Sequence, residues 1–344
     1  MTKIETVPRL AGSAAPKARR GLRLPAGTGA VILLVALTGL FGWLHRPFLD
    51  PANLMSLLDQ AALPGMLAVG MVLVIAVREI DLSVAAVFHL AAIGTALLMA
   101  AGTDPGLSAI AGITVGVAFG LANGLIALTL RVPAVIVTLG TWWMADGLSL
   151  VLGRGQAFSP PAGDGGYLAA LSGKAFGGVP ATVVIFALVA TGLHILLNHS
   201  RFGYRAQATG SNPEAAAHAG IATGKVRLSA LALMGAIAGL AGVVHLGAHG
   251  AIAPGDGGGY ALMAIAAALL GGTRLSGGHG SVVGAAAGML AIQVALSGIA
   301  LFGIDQAWGT FAVGALVVVA LAADRLGRIW RDRRMERGLA GRRR

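Results

Sequence analysis

An all-α polytopic membrane protein is the expected fold, and three properties of the chain converge on it. Its 344 residues are 56% hydrophobic and 11% charged, with a mean hydropathy of +0.80, whereas a soluble domain carries roughly one-quarter charged residues. The apolar residues run in long stretches without strand-like alternation. Lipid offers no hydrogen bonds to an exposed backbone, so such stretches must satisfy their own N–H and C=O groups as helices. Finally, the formal net charge of +11 comes from Lys and Arg at the two ends and in one internal loop. That is the anchoring pattern of a membrane protein's cytoplasmic side, not the basic face of a nucleic-acid-binding domain, and no nucleic-acid partner is expected.

With a span taken as ~17–25 residues, ten segments are predicted. They are Thr28 to Leu44, Ala61 to Val77, Val84 to Ala101, Leu107 to Leu130, Pro133 to Leu152, Val179 to Leu197, Leu228 to Gly247, Gly257 to Gly272, Val282 to Phe302 and Trp308 to Ala323. The eighth is short in its strongly apolar part, Tyr260 to Leu270, and glycine-flanked, so it reads equally as a re-entrant or broken helix. A polar, Gly-rich loop from Gly153 to Gly178 separates the fifth and sixth segments. The domain division is a transmembrane unit, 28–323, between two basic cytoplasmic tails: a disordered Pro/Ala-rich one, 1–27, and one with nine arginines, 324–344. The latter suits anionic lipid or a cytoplasmic partner. No small-residue cleavage site follows the first apolar run, which reads as an uncleaved helix.

Ten spans with both ends inside place 22 of the 25 Lys and Arg residues in the cytoplasm and leave Arg46, Arg154 and Lys174 outside, as the positive-inside rule requires. The same count puts residues 200–227 in the cytoplasm. Within that loop Pro213 suits the first turn of a helix and Gly220 its end, so a short helix from Pro213 to Ala219 is expected across the membrane surface. Glycines at 112, 116, 120 and 124 recur every four residues and form one flat stripe on the fourth span. Gly235 and Gly239, then Gly284 and Gly288, repeat it. Close intrachain packing of helices explains these stripes better than a dimer interface.

Polar residues inside spans are costly and point to function by default. Asp146 lies in the fifth span with no basic neighbour in sequence. It is either a protonated carboxyl bonded to another helix or part of a polar pathway. Trp142 and Trp143 before it have flat faces suited to sugar stacking, and equally to core or interface packing. His89, His245 and Asn123 read as helix–helix hydrogen bonders, and Gln293 is added to the pathway residues. Asp81 and Ser83, in the break Arg78 to Ser83, have oxygens suited to capping the third helix and are the remaining pathway candidates. Arg78 and Glu79 either neutralise each other or reach partners on other helices.

No catalytic constellation is found, and no enzyme activity is expected of this chain. The nearest approach to a phosphate-binding loop, Gly220 to Val226 (GIATGKV), lacks both the glycine spacing and the hydroxyl residue after lysine that would hold magnesium. The absence of cysteine excludes thiolate catalysis and thiolate metal sites, and no histidine pair has metal-ligand spacing.

The runs Ile80 to Ala92 (IDLSVAAVFHLAA), Val132 to Gln156, Ser200 to Ile221 (SRFGYRAQATGSNPEAAAHAGI) and Tyr260 to Gly288 resemble the permease subunits of bacterial sugar-importing ABC transporters, of the ribose, rhamnose and autoinducer-2 type. The resemblance covers about Ala61 to Ala323. It implies a permease that pairs in the inner membrane with a second copy or a homologous permease. It also implies a periplasmic sugar-binding protein that delivers the cargo and two ATPase subunits that bind ATP and Mg, the permease itself binding no cofactor. The family's ATPase-contacting motif falls on Asn212, Glu214, Ala215, Ala216 and Gly220. The chain departs from the family where small residues often precede the Ile-Asp-Leu-Ser run, having Arg78 and Glu79, and again at Asp146. Competing readings are a branched-chain amino-acid or nucleoside importer subunit, a proton-coupled secondary transporter in which Asp146 titrates, and, weakest, a membrane enzyme.

Overall fold

A computed structural model describes residues 27–160, 166–173, 178–305, 307–315, 318–319 and 322. The expected tails lie outside the described residues apart from Gly27. The chain is all-α as expected. Its helices are α1 (Thr28–Leu44), α2 (Pro51–Ala76), α3 (Val84–Ala100), α4 (Pro105–Leu130), α5 (Ala134–Leu152), α6 (Tyr167–Ser172), α7 (Ala181–His199), α8 (Arg201–Ser211), α9 (Pro213–His218), α10 (Thr223–His249), α11 (Tyr260–Leu270) and α12 (Val282–Leu301). Helical backbone resumes over 307–315. Among the described residues the only strand-like pairing is a single bridge between Phe158 and Ile252.

Six of these helices, α2, α4, α5, α7, α10 and α12, are long and apolar enough to cross a membrane, and α1, α3 and α11 are shorter apolar helices. Among the described residues the ten expected segments thus meet a mixture of long and short apolar helices. The second expected span begins ten residues early. Asp50 and Pro51 start α2, Pro51 standing at N1 where its missing N–H has no intrahelical partner. Pro64 sits inside α2 without ending it. The Gly153 to Gly178 loop contains α6, and the Arg201 to Arg227 loop contains α8 as well as the expected short helix.

The glycine stripes pack within the chain. Gly112, Gly116, Gly120 and Gly124 are buried on α4, and α10 lies antiparallel on them. A Cβ on Gly120 would stand 2.3 Å from the Leu231 carbonyl oxygen, and one on Gly239 would stand 3.0 Å from that of Gly112. On the other side of the bundle α12 approaches α11 the same way, with a Gly288 Cβ falling 2.4 Å from the Ala267 carbonyl oxygen. Around α2, whose residues 61–76 are all buried, these pairs close one continuous apolar core.

The short helices arise where the chain dips into the bundle. After α2 the backbone turns sharply at Arg78, which has a left-handed φ of 72°, and residues 79–83 run inward. Ser83, which begins α3, touches Asn123, seven residues before the end of α4. At 1.5 Å per residue that is about 10 Å inside the bundle. The segment between α11 and α12 meets the end of α2, its Gly278 N–H bonding to the Ala76 carbonyl at 2.9 Å.

Candidate functional site

One end of the bundle is built from α8 and α9. Ser200 caps α8 by accepting the Gly203 N–H at 3.1 Å, and Asn212 caps α9 by accepting the Ala215 N–H at 3.0 Å. Pro213 occupies N1, and Glu214 lies in the first turn, where the helix dipole favours negative charge. Gly220 ends the motif with φ 82°, a conformation glycine adopts without steric cost. Helix α8 is seated by an apolar cluster of Val77, Ala206, Val226 and Ala230. Ala216 is buried, while Asn212, Glu214, Ala215 and Gly220 face outward. Four of the five sequence-predicted residues thus sit on one small exposed turn of helix, with Ala216 turned in beneath it. Beside α8 lies a pocket of about 500 Å³ lined partly by Asn198, Ser200, Tyr204, Gln207 and Ser211.

Inside the bundle, Asp81, Ser83, Asn123, Thr138 and Thr141 make a polar network joining α3, α4 and α5. Asp81 Oδ1 accepts both the Ser83 N–H (2.8 Å) and its hydroxyl (2.6 Å). Asn123 donates to Ser83 Oγ at 3.0 Å and accepts the Thr141 hydroxyl at 2.7 Å. Thr138 Oγ1 accepts the Leu82 N–H at 3.1 Å. Asp81 and Ser83 are each only 1% exposed and lie inside this network. Capping differs in detail from the expectation. Asp81 closes a tight turn onto Ser83, and Ser83 makes no side-chain cap. Asn123, the centre of the network, was legible only as one more helix-bonding residue.

The other polar residues separate into distinct places. His89 pairs with Ser149 at 3.0 Å, and His245 pairs with Asp256 at 3.3 Å, with Phe88 packed edge-on to both His245 and Tyr260. Gln293 donates to Gln60 on α2 at 2.8 Å. Trp142 and Trp143 stack with centroids 5.4 Å apart, and Trp143 is 67% exposed. Trp143 lies on the side of α5 opposite its buried Thr138, Thr141, Ala145 and Ser149, and Trp142 at the edge of that buried stripe. Asp146 is half-buried, and among the described residues its carboxylate has no hydrogen-bond or ion-pair partner. The six candidate pathway residues therefore fall into three groups: Asp81 with Ser83, the outward α5 set, and Gln293. Among the described residues no group of three or more His, Cys, Asp or Glu side chains is placed to hold a metal ion.

Residues 53–321 match the family described as branched-chain amino acid transport system / permease component. The chain belongs to this permease family. It is 34% identical over 282 residues to the ribose import permease protein RbsC of Bacillus subtilis, covering 82% of this chain and 87% of that one. It is 30% identical over 295 residues to the autoinducer 2 import system permease protein LsrC of Yersinia enterocolitica, covering 86% and 81%. The LsrC protein of Escherichia coli is 31% identical over 299 residues, covering 86% and 85%. No solved structure matches the chain. This permease is a multi-pass membrane protein, and its α8–α9 turn coincides with the ATPase-contacting motif that the resemblance placed at Asn212 to Gly220.

Proposed function

We propose that this permease is the membrane-spanning subunit of an ATP-driven importer for a monosaccharide, carrying ribose or a solute of similar size and polarity. The observation that carries the proposal is the match to the ribose import permease over 82% of the chain. In this reading a periplasmic binding protein delivers the solute, and two separate ATPase subunits, which hold ATP and Mg, supply the energy. A second permease, identical or homologous, completes the path in the bacterial inner membrane.

The α8–α9 turn is the coupling surface. Its small alanines fit a groove of the ATPase, and α7 and α10, continuous with the turn on either side, carry the closing motion of the ATPase pair into the bundle as a rigid-body tilt. The α5 face bearing Trp142, Trp143 and Asp146 turns toward the second permease, and the path runs between the copies. Asp81, Ser83 and Gln293 support that face from within each copy. Both termini and the α8–α9 turn lie in the cytoplasm, and ten crossings include α11 as a half-length segment.

The family description favours a second reading, in which the solute is a branched-chain amino acid. Affinity purification from native membranes in mild detergent tests both. Recovery of an ATPase subunit and a binding protein whose ligand is a pentose or hexose supports the first. A binding protein that takes leucine or valine supports the second. A permease recovered without any ATPase, and active in liposomes without ATP, overturns both in favour of a proton-coupled transporter.

A further inference from the structure

One carboxylate joins three separate parts of the bundle at the α8–α9 end. Glu79 follows Arg78, whose left-handed backbone reverses the chain after α2. Its own N–H bonds back to the Val74 carbonyl at 3.0 Å, so the backbone at 79 is fixed to α2. Its Oε1 lies 3.4 Å from Arg227 Nη1, in the second turn of α10. Its Oε2 accepts the N–H of Ala134, the first residue of α5, at 3.0 Å. The Glu79 side chain is 10% exposed and that of Arg227 30%, so water competes little at the carboxylate end.

The α5 contact matters because the helix has no cap of its own. Pro133 is its N-cap residue and offers no side-chain acceptor. The first N–H groups of a helix lack intrahelical partners, and the macrodipole places partial positive charge there. Glu79 supplies both the acceptor and the negative charge from 55 residues away. On the α10 side, Arg227 Nε is buried without a hydrogen-bond partner among the described residues, so the Glu79 ion pair is the main constraint on this guanidinium. The neighbours Val77 and Val226 share the apolar cluster that seats α8. Residues 77–79, α8 and the beginning of α10 are therefore packed against one another, and the Ala134 N–H bond ties them to α5.

We infer that Glu79 is a positioning residue for coupling: its carboxylate transmits displacement of the α8–α9 turn, through the beginning of α10, to α5 and the face bearing Trp142, Trp143 and Asp146. The inference rests on the coupling role proposed for α9. Sequence alone could not show this, because Glu79, Ala134 and Arg227 lie far apart along the chain.

The test uses the complete importer in lipid nanodiscs and proteoliposomes, with solute carried per ATP hydrolysed as the readout. Glu79→Gln keeps an acceptor for the Ala134 N–H and loses the charge, Glu79→Leu loses both, and Arg227→Met loses the ion pair alone. Solute per ATP is expected to fall about tenfold in Glu79→Leu, the scale set by one lost charge-assisted hydrogen bond, and less in Glu79→Gln. Arg227→Met added to Glu79→Leu is expected to cost nothing more, since Glu79→Leu has already removed the ion pair. A purely structural role would lower yield and thermal stability and leave the ratio intact, and an intact ratio in Glu79→Leu overturns the inference. Where Glu79→Leu fails to assemble, an intact ratio in both Glu79→Gln and Arg227→Met does the same. A wild-type permease that forms no complex with an ATPase overturns the coupling reading itself. That outcome is distinct from a wild-type complex that couples normally while the Glu79 variants match it.

Discussion

Gly116 on α4 and Gly235 on α10 face each other backbone to backbone. A Cβ built on Gly116 would stand 2.2 Å from the Gly235 carbonyl oxygen, and one built on Gly235 would stand 2.1 Å from that of Gly116. In lipid no hydrophobic force pushes helices together, so close backbone approach and the dispersion contacts it allows are what hold this pair.

Gly116→Val should therefore force α4 and α10 apart and destabilise the fold by about 1–3 kcal/mol or more, the range for overpacking a tight core. Thermal unfolding in detergent measures it. Gly140→Val on α5, where an added Cβ meets nothing within 4 Å, is the control and should leave the midpoint near wild type. Equal midpoints for the two variants would remove the packing role of the stripe.

Asn123→Leu should cost about 1–3 kcal/mol, because it removes the acceptor of the buried Thr141 hydroxyl and the amide donor to Ser83 Oγ. The same unfolding measurement reads it. An unchanged midpoint would show that Ser83 and Thr141 find other partners. The size of this effect was not foreseeable from the sequence. Asn123 beside Gly124 looked like an ordinary helix contact, and its centrality depends on three helices meeting at one depth.

Replacing Glu214 or Gly220 by arginine should leave insertion intact and reduce solute-stimulated ATP hydrolysis in the assembled importer. At Gly220 the left-handed backbone adds a cost of about 1–2 kcal/mol for any side chain. Normal stimulation in both variants would mean that α9 is not the surface the ATPase grips.

Asp146→Asn should lower transport about tenfold or more, the scale of one lost hydrogen bond to a charged group, without altering assembly or thermal stability. Its carboxylate bonds to no described residue, so the folded chain loses little when the charge is removed. Uptake assays in proteoliposomes decide. Normal uptake would return Asp146 to a role in helix packing.

The absence of cysteine allows topology to be read directly. A single cysteine at Ala217 should react with a membrane-impermeant maleimide only after the cells are opened, and one at Arg154 should react in intact cells with a permeable outer membrane. The reverse result would invert the proposed orientation.

The sequence by itself determined what depends on neighbours along the chain. Apolar run lengths located the long helices, Asn212, Pro213 and Gly220 delimited α9, and four-residue glycine spacing marked the face of α4 that packs most closely. These features are set by helical periodicity and by the unpaired groups at helix ends, both local. Helix α8 was missed because its eleven residues carry few apolar side chains, and what seats it comes from α2 and α10. Only the tertiary structure decided which polar residues meet. It placed Asp81 and Ser83 in a closed network, turned Trp143 to the outer face of α5 with Trp142 and Asp146 at the edge of its buried stripe, and paired Gln293 with Gln60. It also brought the carboxylate of Glu79 to the uncapped end of α5 and to Arg227. Such pairings depend on the depth at which each helix begins, and that depth is fixed by where re-entrant segments such as 79–83 find partners for their backbone inside the bundle.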